Sequence, residues 1–137
     1  MYKKIMVPVD LTHLDQLEKS LAIAADLARH FKCGICYVGV TIDQPSEIAK
    51  NPDEFESKLS ALAQKQASIH DIETTSQSFI AHDIVLEVDD VLLRAIGETG
   101  ADLVVMASHE PKFSDHFWPS NGGKIATHSK VSLFLVR

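Results

Sequence analysis

The chain has 137 residues, 45% of them hydrophobic and 23% charged, with a formal net charge of −6. We predict one domain over residues 1–137, because this length supports a core without disulfides or metal ions. The acidic balance disfavours partners such as nucleic acid and membrane surfaces, which attract basic patches. No apolar run is long enough to span a bilayer, and the N-terminal segment has no signal-peptide pattern, so we expect a cytoplasmic protein.

In chain order, the sequence opens with the apolar run KIMVPV, which is typical of a parallel strand buried on both faces. Helical spacing of apolar residues follows, from Leu14 to about Phe31. A second helix begins after the cap candidate Asn51, and a third shows an apolar stripe from Val88 that Gly97 or Gly100 ends. A short helix covers 120–128, and strands alternate with the helices at 4–9, 35–42, 77–82, 103–107 and 132–136.

This β-α alternation predicts a parallel sheet between two helix layers, an α/β three-layer sandwich with five strands. Ligands of such sheets bind beyond the carboxyl ends of the strands, where the strand order reverses. The segments that reach this edge are 8–12, 40–41 and 107–120, which makes Pro8, Val9, Asp10 and Val40 site candidates. Asp10 has two interpretations that the sequence leaves open: an acceptor for a ribose or base amine, or a cap for the next helix.

The segment Ser120-Asn121-Gly122-Gly123 starts the last predicted helix. Its backbone N–H groups and the Ser120 hydroxyl suit an anion, with Lys124 one turn further along adding positive charge. The alternative is a plain serine cap. Two consecutive glycines weaken a helix by roughly 1–2 kcal/mol, which favours a close approach by backbone or ligand.

The two cysteines form the segment Cys-Gly-Ile-Cys, at 33 and 36. A redox motif needs a strand before the pair and a helix after it, and here the predicted order is reversed. Their spacing on a strand points the side chains to opposite faces. We therefore interpret them as small core residues; a thiol-redox enzyme would require a lowered pKa at Cys33.

Three segments together resemble a universal stress protein, most closely the F/G-type subgroup: "KIMVPVD", "LVVMASH", and a Ser-Asn helix start before "LFLVR". The resemblance implies a nucleotide-binding HUP-like fold that dimerises through the last strand and binds ATP or AMP. It implies that Asp10 meets the ribose or adenine and that Val40 flanks the ring. Met106 and Ala107 would line base and sugar; His109, Ser120, Asn121 and Gly122 would face the phosphates.

The chain departs from the family's phosphate motif, in which glycines follow the fourth strand. Ala107, Glu110 and Pro119 stand at the glycine positions. A carboxylate near a triphosphate lowers affinity unless it points away or holds Mg²⁺ through water. The segment 85–90 also lacks the glycine-containing turn usual before the third helix.

Two functional hypotheses follow. The first is a stress-response protein that binds an adenine nucleotide as a regulatory ligand, with at most very slow ATP hydrolysis because no residue is placed as a general base. The second is a dimeric scaffold of the same fold that has lost nucleotide binding and acts through protein contacts.

A hydrolase is disfavoured because no G-x-S-x-G elbow occurs. A receiver domain is disfavoured because Asp10 has no acidic neighbour.

Overall fold

The computed structural model describes residues 1–108 and 121–137. Its strands are β1 (Lys4–Pro8), β2 (Gly34–Ile42), β3 (Thr74–Ala81), β4 (Leu103–Ala107) and β5 (Ser132–Val136). Its helices are a 3₁₀ helix (Leu11–Gln16), α1 (Glu18–Phe31), α2 (Pro52–His70), α3 (Ile84–Thr99) and α4 (Asn121–His128). The predicted alternation of strands and helices is confirmed.

The five strands form one parallel sheet in the order β3-β2-β1-β4-β5. One core cluster lies under α1 and α2 and includes Tyr37, Leu59 and Val105. The other lies under α3 and α4 and includes Leu92 and Ile125. The three-layer sandwich predicted from the sequence is therefore the observed architecture.

Several element boundaries differ from the predicted ones, each for a local reason. β1 ends at Pro8, and the chain then forms a 3₁₀ helix in which His13 has non-helical angles, so α1 begins later than the apolar spacing indicated. β3 begins at Thr74, since its polar residues pair with β2 along their whole length at the sheet edge.

The third helix begins at Ile84, earlier than its apolar stripe. Asp83 caps it by accepting a hydrogen bond from the Leu86 N–H at 3.3 Å, and the Glu87 carboxylate accepts from the Asp83 N–H. The segment 85–90 is thus helical. The helix ends at Gly100, which is left-handed at φ 71°.

The two cysteines lie on opposite sides of the sheet, as predicted. Cys36 belongs to the cluster under α3 and α4, and Cys33 packs against the other cluster. Burial raises the pKa of the Cys33 thiol, the Asp102 charge raises it further, and the N-terminal amine partly opposes both. A lowered pKa, which a redox role requires, is absent at this thiol.

Among the described helices, none has the length and apolarity to cross a membrane.

Candidate functional site

A cavity of about 160 Å³ opens at the carboxyl edge of the sheet, above the ends of β1 and β2. Its polar lining comes from Asp10, Thr12, Thr41 and Ser46. Its apolar lining comes from Val9, Leu11, Val40, Ile42, Ile48, Phe55 and Ile84. A concave, mainly apolar space with a few polar groups is the usual character of a small-molecule site.

The strand register shows how β1 separates from β4 next to the cavity. β1 pairs with β4 at Ile5↔Leu103 and Met6↔Val104. It stays paired with β2 as far as Pro8↔Val38. β1 therefore loses its pairing with β4 before the carboxyl ends. The strand order reverses here, between β1 and β4, beside the β1 end of the cavity, and no described β4 residue lines the cavity itself.

The loop between β2 and α2 supplies one wall of the cavity. The Ser46 N–H donates to the Ala49 carbonyl at 2.8 Å, and the Ala49 N–H donates to the Ser46 Oγ at 3.3 Å. Lys58 donates to the Ile48 carbonyl from α2. These bonds fix the turn that places Ile48 against the cavity.

Phe55 reaches the cavity because β2 carries a glycine beneath it. A Cβ atom at Gly39 would lie 2.8 Å from two carbons of the Phe55 ring and 3.3 Å from Leu59. Real Cβ contacts are rarely this close, so Gly39 lets the ring pack directly on the strand.

Asp10 is buried, at 8% exposure, and its carboxylate is held by the chain that follows it. Its Oδ1 accepts hydrogen bonds from the Thr12 N–H at 3.0 Å and the Thr12 hydroxyl at 2.6 Å. Its Oδ2 lies 2.8 Å from the His13 Nδ1. The structure thus shows the capping role that the sequence left open. Two carboxylate oxygens together have room for further hydrogen bonds, so the ligand role stays a prediction.

His13 is a neighbour of the site that the sequence reasoning missed. Besides its contact with Asp10, its Nδ1 lies 2.9 Å from the Thr12 hydroxyl. The available signal was an Asp at the end of a strand with a His three residues later, because a capping aspartate side chain reaches residues two and three positions further on.

The other predicted site residues divide into three groups. Val9 and Val40 line the cavity beside Asp10. Pro8 lies in β1 itself, whereas Met106 and Ala107 lie in β4, where Met106 is buried under α3 and α4 and Ala107 packs toward α1 and α2. His109 and Ser120 lie outside the described residues, so their predicted roles, and a shared crevice for Asp10 and the turn at 120–123, stay predictions.

The glycines of α4 receive a partly different explanation from the predicted one. A Cβ atom at Gly122 would lie 2.7 Å from the Leu135 side chain, whereas one at Gly123 would meet nothing within 4 Å. The close approach at Gly122 is therefore made by β5. Asn121 is the first residue of the helix.

Lys124 was expected to add positive charge for a phosphate. Its Nζ instead lies 3.6 Å from Asp89 Oδ2 and 3.6 Å from Asp90 Oδ1, both on α3. The lysine charge is therefore shared with two carboxylates of the neighbouring helix.

A larger concavity, of about 930 Å³, lies at the opposite edge of the sheet and is lined in part by Lys3, Lys4 and Glu73. We favour the smaller cavity as the site, because parallel sheets bind ligands at the carboxyl ends of their strands. In the part of the chain that the structure describes, no cluster of three His, Cys, Asp or Glu side chains could hold a metal ion.

An all-parallel five-stranded sheet with helices on both faces and a cavity at its carboxyl edge defines a doubly wound α/β protein. The amino-acid sequence matches the universal stress protein family over residues 1–137, so the chain belongs to that family. This confirms the family that the sequence motifs indicated.

Individual relatives are distant. Universal stress protein G of Salmonella typhimurium is 25% identical over 153 residues, with 100% of each chain covered. A universal stress protein from Archaeoglobus fulgidus superposes with a TM-score of 0.71 at 16% identity, covering 100% of each chain. A structure of the Archaeoglobus fulgidus universal stress protein in complex with dAMP has a TM-score of 0.69 at 17% identity, covering 99% of this chain and 98% of that one. At these identities the likeness shows the shared fold.

Proposed function

We propose that the chain binds an adenine nucleotide of the ATP or AMP type as a regulatory ligand in the cavity at the carboxyl ends of β1 and β2. The observation that carries the proposal is the mainly apolar cavity beside the buried carboxylate of Asp10. Membership of the universal stress protein family and the dAMP complex of a protein with the same fold support it.

The cavity suits a planar base better than a whole nucleotide. Its volume of about 160 Å³ is below the roughly 300–1,000 Å³ of sites that enclose a complete drug-sized ligand. We therefore place the adenine ring between the aliphatic side chains and Phe55, with the sugar and phosphates outside. Mg²⁺ would accompany the phosphates, and any ATP hydrolysis is expected to be very slow.

A pair of substitutions tests this placement. Val40→Phe fills the proposed site, and Thr75→Phe adds the same ring to the larger concavity at the amino edge. Calorimetric titration with AMP and ATP should show binding to the wild type and to Thr75→Phe, and a loss of about tenfold or more in Val40→Phe. The reverse pattern would place the ligand at the other edge. No heat and no thermal shift with the wild type at millimolar nucleotide would reject the proposal.

A second candidate is a dimeric scaffold that acts through protein contacts, and one observation favours it. β5 is an edge strand on which Phe134 is 42% and Leu135 44% exposed. An apolar edge of this kind favours pairing with a second copy. A homodimer through β5 and a cytoplasmic location stay predictions.

Light scattering of the purified chain tests the dimer. We expect a dimer at micromolar concentration, which Phe134→Glu converts to a monomer. Ile80→Glu is the matched control, because Ile80 is 52% exposed on the opposite edge strand, β3. A wild-type monomer contradicts pairing through β5. A dimer that shows no response to nucleotide would favour the scaffold over the nucleotide sensor.

A further inference from the structure

A second recess, the α1–α2 groove, lies between the two helices that cover one face of the sheet. Its volume is about 410 Å³, within the roughly 300–1,000 Å³ of sites that hold a small molecule. No described residue lines both this groove and the cavity at the carboxyl edge. The groove is therefore a separate candidate for ligand binding.

Much of the groove's lining is aliphatic. Leu21 belongs to the core cluster under α1 and α2, and Leu62 packs against that cluster. Ala22 gives the α1 wall a small side chain. Leu14 and Ile69 also line the groove, and they are 37% and 58% exposed. Exposed aliphatic side chains beside buried ones form an apolar surface of the kind that ligands cover.

Gln66, on α2, supplies a buried polar group to the lining. The residue is only 7% exposed, and its Oε1 is buried without a hydrogen-bond partner among the described residues. Buried amides are almost always paired, because an unpaired one loses its hydrogen bonds to water and gains none in return. The terminal torsion of a glutamine side chain is broad, so this amide can turn its oxygen toward a donor in the groove. The unpaired oxygen points to a ligand with an N–H or O–H group.

The charges of the groove favour a neutral ligand. Its acidic and basic side chains are Asp15, Glu18, Lys65 and His70. Next to them, the Arg29 guanidinium donates to the His70 carbonyl at 2.8 Å and pairs with Asp26. Because both signs of charge are present, a strongly charged ligand is attracted by one part of the lining and repelled by another. A neutral molecule avoids this repulsion.

We propose that the α1–α2 groove binds a neutral, mainly apolar small molecule that carries an N–H or O–H donor for the Gln66 amide oxygen. The aliphatic lining accepts the body of the ligand, and the donor pairs the one buried oxygen that has no partner there. This site does not depend on nucleotide binding, since it shares no lining residue with the cavity beside Asp10.

Indole and 1-methylindole test the proposal, because they differ by the single N–H donor. NMR titration of the backbone amide signals measures affinity and location together. We expect indole to shift signals of α1 and α2 in the wild-type chain. We expect 1-methylindole to bind about threefold to tenfold more weakly, which is the effect of one hydrogen bond. Equal affinities, shifts confined to other elements, or no shift at millimolar indole would each overturn the inference.

Three substitutions test the location of the site. Gln66→Met removes the amide at similar volume and should stay folded, since it deletes an unpaired buried group. Its affinities for the two compounds should agree within about twofold. Ala22→Phe fills the groove and should weaken indole binding by about tenfold or more. Ala61→Phe is the matched control, because it adds the same ring to an exposed position on α2 outside the lining.

The outcomes of these variants are distinct. A preference for indole that persists in Gln66→Met would show that steric fit, and not the amide, discriminates the two compounds, and it would overturn the inference. So would equal indole affinities of Ala22→Phe and Ala61→Phe.

A second copy of the chain is the alternative occupant of the groove. Light scattering of Ala22→Phe and Ala61→Phe at one concentration distinguishes it from a small molecule. We expect both variants to keep the assembly state of the wild type. Loss of an assembly in Ala22→Phe alone would assign the groove to a second copy and overturn the inference.

Discussion

The Asp10 side chain, at the end of a strand, accepts hydrogen bonds from its own chain in the absence of any ligand. Its two oxygens accept from Thr12 and lie against His13, and these contacts fix the turn that leaves β1. From the sequence alone, capping and ligand binding were equally consistent with an aspartate at this position. The hydrogen bonds show that Asp10 caps the following helix. A nucleotide would therefore have to bind to a carboxylate that is already hydrogen-bonded.

Removal of this carboxylate should destabilise the chain in the absence of any ligand. We expect Asp10→Ala to lower the free energy of unfolding by about 1–2 kcal/mol, because it leaves the Thr12 N–H and hydroxyl without their acceptor. Urea unfolding without nucleotide measures the effect. Asp15→Ala, in the same segment but exposed, is the control and should stay within about 0.5 kcal/mol of the wild type. Equal stabilities of the two variants would contradict the capping role.

At the scale of elements, α3 shows that the residues capping the two ends of a helix, and not its apolar stripe, set where the helix begins and ends. Asp83 starts the helix by capping, and Gly100 ends it with a left-handed backbone. Gly97, the alternative end that the sequence allowed, lies inside the last turns, and a Cβ atom there would meet nothing within 4 Å. Only one of the two glycines therefore has a conformational reason to be glycine.

Alanine at these two glycines should have opposite effects. Gly97→Ala should raise the free energy of unfolding by about 0.5–1 kcal/mol, since alanine loses less backbone entropy in a helix. Gly100→Ala should lower it by about 1 kcal/mol or more, since a Cβ atom is strained at positive φ. Each variant is the control for the other in one urea-unfolding series. The same sign for both would place the helix end elsewhere.

At the scale of the whole molecule, Asp102 links strands that are far apart in the chain. Its carboxylate accepts hydrogen bonds from the backbone N–H groups of Lys3, at 3.0 Å, and Lys4, at 3.1 Å. Its own backbone bonds to Lys4 and Ser132, so it connects the starts of β1, β4 and β5. Burial raises the pKa of the Asp102 carboxyl, but the backbone hydrogen bonds from Lys3, Lys4 and Asp102 together with the Lys3 charge lower it more, and the net shift is downward.

The lowered pKa predicts the pH range in which the Asp102 carboxylate stabilises the fold. Because the folded pKa lies below the unfolded value of about 3.9, the carboxylate stabilises the fold above that value. The contribution is lost as pH falls through the folded pKa. We expect Asp102→Asn to lower stability by about 1 kcal/mol at pH 7 and to have little effect near the acid end of the transition. Urea unfolding of both proteins across acid pH measures the difference. A destabilisation that does not change with pH would show that the charge is not its cause.

The sequence by itself determined the order and type of the elements, the class of the fold and the edge of the sheet where a site belongs. These depend on the spacing of apolar residues within short segments, as in the strand 103–107, and on the parallel strands that helical connections impose. The motifs at the two ends of the chain indicated the family for the same reason, since they are local strings of residues.

Only the tertiary structure decided what surrounds the site. Ile48, Phe55 and Ile84 come from three separate segments and meet at one cavity, and Lys124 meets Asp89 from another helix. No local pattern encodes such contacts, because they arise from the packing of helices on the sheet. The lining of the cavity and the pairing of Lys124 with α3 are therefore properties of the folded chain.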